Sequence, residues 1–257
     1  MNLQINPELD IEQIAANFQS QGKIRIDNFL TTESAESILD CLKNYTAWHL
    51  AYSDAQGQPV RLDSTQVAQL SQEQEQQIMT ELHQRASANY QYMYKFFPII
   101  DAIKDGLITD NSMLYEIATF LNNTAFIKTA RQITGVNTLV KMDPQATLYE
   151  RNHFLNMHDD MGDQRETEDS SVRRFAVVLG FTKNWSYNWG GQTNFFDGVG
   201  AAAAESWYPC FNSLTIFQVP RLHSVGYVTP FADKGRYSLT GWLRDDPTVI
   251  REDLEDN

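Results

Sequence analysis

Apolar residues before residue 135 recur mainly at helical spacing. Helices are predicted over 72–94 and over 112–133, the second ending near Gly135. Another is predicted from Thr32, because the apolar positions that follow fall at i, i+3, i+4 and i+7: Ala35, Ile38, Leu39 and Leu42. Residues 22–30, GKIRIDNFL, alternate at period two and predict a strand. The first part of the chain is therefore expected to be mostly helical.

From residue 136 the pattern changes to short runs rich in β-branched and aromatic residues, such as RRFAVVLGF and SLTIFQV, separated by Gly and Pro turn signals. This spacing is typical of an antiparallel sandwich or barrel. The sequence predicts a mainly β protein with α support (α+β), a jelly roll packed by N-terminal helices. We expect one domain over 1–257, with a helical support region at 1–135, a β core at 136–246 and an acidic tail at 247–257.

Composition fits a packed core, since 42% of the 257 residues are hydrophobic and 21% are charged. The N-terminal residues lack a secretory signal and no stretch is long and apolar enough for a membrane span, so a cytoplasmic location is expected. The two cysteines form no CxxC pair of the kind that suggests zinc binding or redox exchange. The net charge of −13 disfavours nucleic acid as a partner and is compatible with a basic protein target.

Three residues suggest a metal site. His158 and Asp160 are two apart, which on an extended strand directs both side chains to one face, whereas Asp159 would point away. A second histidine, His223, follows in another strand-like run. Two imidazoles and one carboxylate suit non-haem iron(II) and leave coordination positions open for a keto acid and dioxygen.

Arg236 is the predicted anchor for the distal carboxylate of such a keto acid, because a guanidinium binds a carboxylate through two parallel hydrogen bonds. A hairpin turning near 231–232 would put Arg236 opposite Tyr227, on the face of His223. Ser238 shares that face by parity and is a second hydrogen-bond donor.

The remaining candidates are two aromatic residues, each with two possible roles, and three histidines expected outside the metal site. Tyr149 is a further donor to the keto-acid carboxylate or a core residue, and Trp242 walls the pocket or packs in the core. His153 does not share the ligand parity and is expected to be structural, while His49 and His83 are expected to be surface or packing residues.

Five segments together resemble the prolyl-hydroxylase-like branch of the 2-oxoglutarate/Fe(II) oxygenases: LYERNHFLNMHDD, RRFAVVLGF, WGGQTNFFD, FNSLTIFQVPRLHSVGYV and GRYSLTGWLRDD. Within that branch they are most similar to the catalytic domain of prolyl hydroxylases that modify a small-ribosomal-subunit protein. The resemblance implies a double-stranded β-helix, His158, Asp160 and His223 as iron ligands, and Arg236 and Tyr149 at 2-oxoglutarate. It also implies ascorbate as a reductant.

The expected reaction is hydroxylation of a C–H bond, of a prolyl residue in a protein, with release of succinate and CO2. Unlike the eukaryotic ribosomal enzymes that it resembles, the chain is too short to hold a second β-helix domain, and this departure argues against carrying their substrate over to it. Two alternatives stay open: the same chemistry on a free amino acid or small metabolite, and a jelly-roll module that binds a metal or ligand without turnover.

Overall fold

Seven α-helices, two short 3-10 helices (Tyr187–Trp189 and Glu252–Leu254) and twelve strands make up the regular structure of the computed structural model, which describes residues 3–161 and 171–254. The helices are α1 (Ile11–Gln21), α2 (Thr32–Asn44), α3 (Ser64–Gln69), α4 (Gln72–Ala86), α5 (Ile99–Lys104), α6 (Met113–Phe120) and α7 (Thr124–Thr134). The strands are β1 (Lys23–Asp27), β2 (His49–Ser53), β3 (Pro59–Leu62), β4 (Tyr92–Phe97), β5 (Leu139–Tyr149), β6 (Phe154–His158), β7 (Val172–Phe181), β8 (Thr193–Phe196), β9 (Ala203–Trp207), β10 (Phe211–Gln218), β11 (His223–Val225) and β12 (Arg236–Asp245).

The strands form an antiparallel sheet in the order β1-β10-β7-β12-β5-β4-β6-β11-β8-β9, and β2 joins it beside β4 with β3 outside β2. Residues of β5, β7 and β12 line the same cavity as residues of β6, β8 and β11, so the sheet curls over on itself. This arrangement confirms the predicted mainly β architecture of jelly-roll type with helical support.

The main core lies between the helices and strands β5, β7, β10 and β12. Phe18 of α1 meets Phe175 of β7 edge to face, with ring centroids 5.6 Å apart, and Phe29 meets Phe126 of α7 at 6.1 Å. The stripe predicted on α2 is buried here. The helices therefore cover the outer face of the strands whose inner face lines the cavity.

The N-terminal part contains more strand than its sequence pattern predicted. The predicted strand at 22–30 is present as β1, but the helix predicted over 72–94 ends at Ala86 and its last residues belong to β4. The helix predicted over 112–133 is two helices, α6 and α7, because Asn123 caps a new helix by accepting a hydrogen bond from the Phe126 amide.

The chain after β12 is not all solvated surface. Arg251 donates to the carbonyl oxygens of Val140 and Asn122, and Leu254 is buried against the main core. Positions 255–257 of the predicted acidic tail lie outside the described residues. Within the described part, no helix is both long and apolar enough to cross a bilayer.

Asn212 joins the segment after β1 to the start of β10. Its side chain is buried, accepts a hydrogen bond from the Leu30 amide at 2.9 Å and donates one to the Leu30 carbonyl at 2.7 Å. Its backbone carbonyl oxygen also accepts a hydrogen bond from the Phe29 amide. Its φ is 55°, a left-handed value that asparagine tolerates better than most residues.

We expect Asn212→Ala to lower the free energy of unfolding by about 3 kcal/mol, because two buried backbone groups lose their partners and the left-handed backbone becomes more strained. Urea denaturation followed by circular dichroism measures the change. Asn188→Ala, at an exposed position, is the control and should change stability by less than about 0.5 kcal/mol. Equal stability of the two variants would contradict the role given to Asn212.

Candidate functional site

A cavity of about 530 Å³ lies inside the curled sheet and opens to solvent beside Tyr90. Within the described part of the chain, one group of acidic, histidine and cysteine side chains is close enough together to hold a metal ion: His158, Asp160 and His223. One potential ligand atom from each residue lies within 4.8 Å of the others. The structure thus brings together the three residues that the sequence selected.

Strand register places the two histidines side by side. His158 ends β6, His223 begins β11, and the two residues face each other across this antiparallel pair. Their ring centroids are 4.1 Å apart. The backbone pairing, rather than a side-chain contact, therefore sets the separation of the imidazoles.

Asp160 reaches the same point from a turn. It lies beyond the end of β6 with φ 63°, and its carbonyl oxygen accepts a hydrogen bond from Arg173 at 3.2 Å. Its carboxylate oxygens are 3.3 Å from His158 Nε2 and 3.5 Å from His223 Nε2. The expectation that a continuous strand sets the direction of Asp160 is wrong, because the strand ends at His158.

Backbone carbonyls fix the orientation of both imidazoles. Nδ1 of His158 lies 3.0 Å from the Asn156 carbonyl, and Nδ1 of His223 lies 2.8 Å from the Arg221 carbonyl. An N–H at Nδ1 leaves the lone pair of Nε2 directed at Asp160. Burial lowers the pKa of His223 to about 4, which keeps that ring neutral near pH 7.

The Asp160 carboxyl stays ionised although it is largely buried. Burial raises its pKa, but its contacts with His158 and His223 outweigh that effect and leave the pKa below the usual value. Two imidazoles and one carboxylate form the donor set.

Arg236 lies deeper in the same cavity and is buried. Its guanidinium is 5.2 Å from the ring centre of Tyr149, the residue paired with it across β5 and β12, and Nη2 donates to Thr193 Oγ1 at 3.1 Å. Nη1 is buried and has no hydrogen-bond partner among the described residues. An unpaired buried guanidinium nitrogen is costly unless an anion accepts from it. Ser238 also lines the cavity and shares a 2.8 Å hydrogen bond with Thr147.

The hairpin predicted between His223 and Arg236 is wrong. β11 ends at Val225 and pairs with β6 and β8, whereas β12 pairs with β5 and β7. Tyr227 lies in the connection, where its hydroxyl donates to Asn152. Residues 226–235 cross from one group of strands to the other, so parity across a two-stranded hairpin does not apply, although His223 and Arg236 still face one cavity.

The sequence analysis missed three tyrosines, in and just before β4, that form one wall of the cavity. Tyr90, Tyr92 and Tyr94 alternate along the chain, with neighbouring ring centroids 5.8 Å apart, and Tyr94 stacks on Tyr149 at 5.3 Å. Burial raises the pKa of Tyr94 to about 12, so its hydroxyl stays protonated. The alternation in YQYMYKFF was the available signal.

Arg173 and Thr193 were also missed, while Trp242 lies where the sequence suggested. The indole ring of Trp242 lines the cavity, and the Arg173 guanidinium lies 3.8 Å from its centre. Neither an arginine nor a threonine inside a strand signals a site until the strands are placed in three dimensions.

The other histidines lie away from the donor set. His153 is buried and accepts a hydrogen bond from the Glu150 amide at 3.1 Å. His49 lies in β2 against Phe96 and Phe97, and His83 contacts Phe154 at the edge of a neighbouring groove. None of them lines the cavity that contains His158.

Comparison with known proteins bears on the family and on the fold. The family model of the 2OG-Fe(II) oxygenase superfamily matches residues 144–244. No curated protein matches the sequence. The matched region is a 2OG-Fe(II) oxygenase domain, and the chain is an enzyme of that class, a non-haem dioxygenase that uses Fe(II) and 2-oxoglutarate.

Solved structures with a similar fold include prolyl hydroxylases. A prolyl-4-hydroxylase from Pseudomonas putida is 14% identical, with a TM-score of 0.52, over 96% of this chain and 99% of that one. A prolyl hydroxylase from Trichoplax adhaerens, bound to a peptide of hypoxia inducible factor, is 15% identical, with a TM-score of 0.58, over 91% and 90%. The α-ketoglutarate-dependent epimerase SnoN of nogalamycin biosynthesis is 11% identical, with a TM-score of 0.53, over 92% and 83%. The chain is thus prolyl-hydroxylase-like in fold, and the non-catalytic module is set aside.

The buried His153 predicts a pH dependence of stability. Burial lowers its pKa from 6.5 to about 4 in the folded chain, so between these values the unfolded chain binds the extra proton. Stability should fall as pH decreases from 6.5 to 4, by up to about 3 kcal/mol from this residue. The free energy of unfolding measured across that range should decrease less steeply in His153→Gln than in the unsubstituted chain. Parallel curves would contradict the assignment.

Proposed function

We propose that this chain hydroxylates a prolyl residue of a protein substrate, with iron(II) bound by His158, Asp160 and His223 and with 2-oxoglutarate anchored by Arg236. The observation that carries the proposal is the arrangement of one cavity. A set of two imidazoles and one carboxylate lies toward its opening, and a buried arginine with an unpaired nitrogen lies deeper inside.

The donor set fits iron(II). Two imidazoles and one carboxylate are the ligands of the facial triad of non-haem iron oxygenases, which leaves positions open for a bidentate keto acid and dioxygen. With the cofactors bound, this centre supplies the oxidising chemistry that inserts one oxygen atom into a C–H bond and releases succinate and CO2. The protein holds the donors in place through the β6–β11 pairing and the two carbonyl-bonded Nδ1 atoms.

The deeper end of the cavity fits the distal carboxylate of 2-oxoglutarate. Arg236 offers a charged donor, and Thr193 holds one of its nitrogens so that the other stays available. Tyr149 and Ser238 are the hydroxyl donors beside it. Because all three are buried, a bound carboxylate would be shielded from water and its hydrogen bonds strengthened.

The aromatic wall of the cavity suits an apolar side chain of the substrate. Tyr90, Tyr92 and Trp242 line it near the metal-binding residues, and Tyr90 is 48% exposed at the opening. Such rings exclude water and hold an aliphatic ring over their faces. The peptide-bound prolyl hydroxylase of similar fold supports a protein substrate for this chain.

A small molecule is the second candidate for the substrate. SnoN has a similar fold and is an epimerase of nogalamycin biosynthesis, so the architecture also serves enzymes outside prolyl hydroxylation. Use of ascorbate rests on the sequence resemblance and stays a prediction, as does the likeness to ribosomal-protein prolyl hydroxylases.

Arg236→Ala should weaken binding of 2-oxoglutarate about 30-fold or more, since a buried charged hydrogen-bonding partner of the carboxylate is lost. Calorimetric titration of 2-oxoglutarate into the Fe(II)-loaded protein under nitrogen measures the affinity. Arg174→Ala removes a more exposed arginine of β7 and is the matched control. Affinity preserved in Arg236→Ala would exclude Arg236 as the anchor.

With Fe(II), 2-oxoglutarate and ascorbate, proline-containing peptides should gain 16 Da and release one succinate per hydroxyl group. Mass spectrometry and a succinate assay measure both products. Asp160→Ala should lose iron binding and coupled turnover, whereas Asp159→Ala should keep iron binding, because only the Asp160 carboxylate contacts both imidazoles. Succinate formation without modification of any peptide, with hydroxylation of a small metabolite instead, would favour the second candidate.

A further inference from the structure

A second cavity, of about 610 Å³, adjoins the first one. Gln145 of β5 and Trp242 of β12 line both cavities, so the two are neighbours across these side chains. The other lining residues come from β3, β4, α5, β5 and β12, together with Pro98 and Asn122 of the connecting segments. We call this second cavity the basic groove.

The groove is positively charged, although the chain as a whole carries a net charge of −13. Four basic side chains and two acidic ones line it: Arg61, Lys104, Lys141, Arg244, Asp101 and Asp143. Its sign is therefore opposite to that of most of the surface, and it would attract negative groups that the remainder of the protein repels.

Two of these cations are available to a ligand. Arg244 is bound to Asp143 at 2.6 Å, and Lys141 has an interaction of its own. Arg61 and Lys104 are exposed and form no ion pair within residues 3–161 and 171–254. The Arg61 guanidinium lies over the ring of Phe96, 5.6 Å from its centre, which steadies one face and leaves its hydrogen-bonding edge free.

Arg173 adds positive charge where the two cavities meet. Its guanidinium stacks on the Trp242 ring, and this ring faces both the metal-binding residues and the groove. A substrate peptide that leaves the first cavity past Trp242 therefore passes Arg173 at the junction and then reaches Arg61 and Lys104.

We propose that the basic groove binds an acidic segment of the substrate, next in sequence to the residue that enters the active cavity. This inference rests on the proposed function, since it assumes a peptide substrate. Charge complementarity selects the occupant: carboxylates of Asp or Glu residues pair with Arg61 and Lys104, whereas a basic segment would be repelled. The partner at this surface is thus opposite in charge to the basic target that the net charge predicts.

Four fluorescent peptides of equal length test the inference, with Glu, Gln or Lys residues on both sides of a central proline, and with Glu residues around a central alanine. Anisotropy with the Fe(II)- and 2-oxoglutarate-loaded protein under nitrogen measures their affinities. The Glu peptide should bind about three- to tenfold more tightly than the Gln peptide, and the Lys peptide more weakly, because two partly screened charge pairs are gained or opposed. The preference for Glu should shrink at high salt.

Arg61→Glu combined with Lys104→Glu should abolish the preference for Glu while leaving affinity for 2-oxoglutarate unchanged. Lys43→Glu combined with Lys234→Glu makes the same change in net charge outside both cavities and should keep the preference. Equal loss in both double variants, or tighter binding of the Lys peptide, would overturn the groove as an acidic-segment site.

The alanine peptide and the hydroxylation products separate this inference from the proposed function. A Glu preference that depends on Arg61 and Lys104, without hydroxylation of any proline peptide, would retain the groove and reject prolyl hydroxylation. Hydroxylation of all three proline peptides at equal efficiency, with equal affinity, would retain the reaction and reject the groove.

Discussion

The pairing of His158 with His223 across β6 and β11 is the contact on which the site depends. Each histidine is at the end of its strand, so the ladder that stabilises the strands also sets the distance between the imidazoles. Asp160 follows within one turn, and its backbone carbonyl is held by Arg173 from β7. The donors are therefore positioned by backbone structure, which costs less side-chain entropy than three long side chains converging from loops.

The sequence was most informative where the chemistry is local. His158 and Asp160 are neighbours in the chain, and a second histidine in a β run was easily found among five histidines. Arg236 was selected as the candidate anchor because few residue types suit a carboxylate, not because its place in the sheet was predicted. Its partner strand is β5, and no pattern within 223–236 reveals that the chain there crosses to another part of the sheet.

The tertiary surroundings were less accessible. The polar run of α4 continues without a break signal toward Tyr90, so the alternating tyrosines were absorbed into a predicted helix. Their role as a wall depends on β4 pairing with both β5 and β6, which are distant contacts. Thr193 has the same difficulty, because its value as a support for Arg236 arises from β8 lying beside β11.

The position of β4 limits how this enzyme can be divided. The strand comes from the N-terminal part of the chain, yet it lies between β5 and β6 in the sheet. β5 pairs with the strand that begins at Arg236, and β6 ends at His158. A fragment limited to residues 144–244 would leave these two strands with unpaired edges, open to pairing with other chains. Residues 144–244 are therefore not sufficient as an independent unit. Fused to another protein without β4, this segment would lack the tyrosine wall and would tend to aggregate before it bound a cofactor.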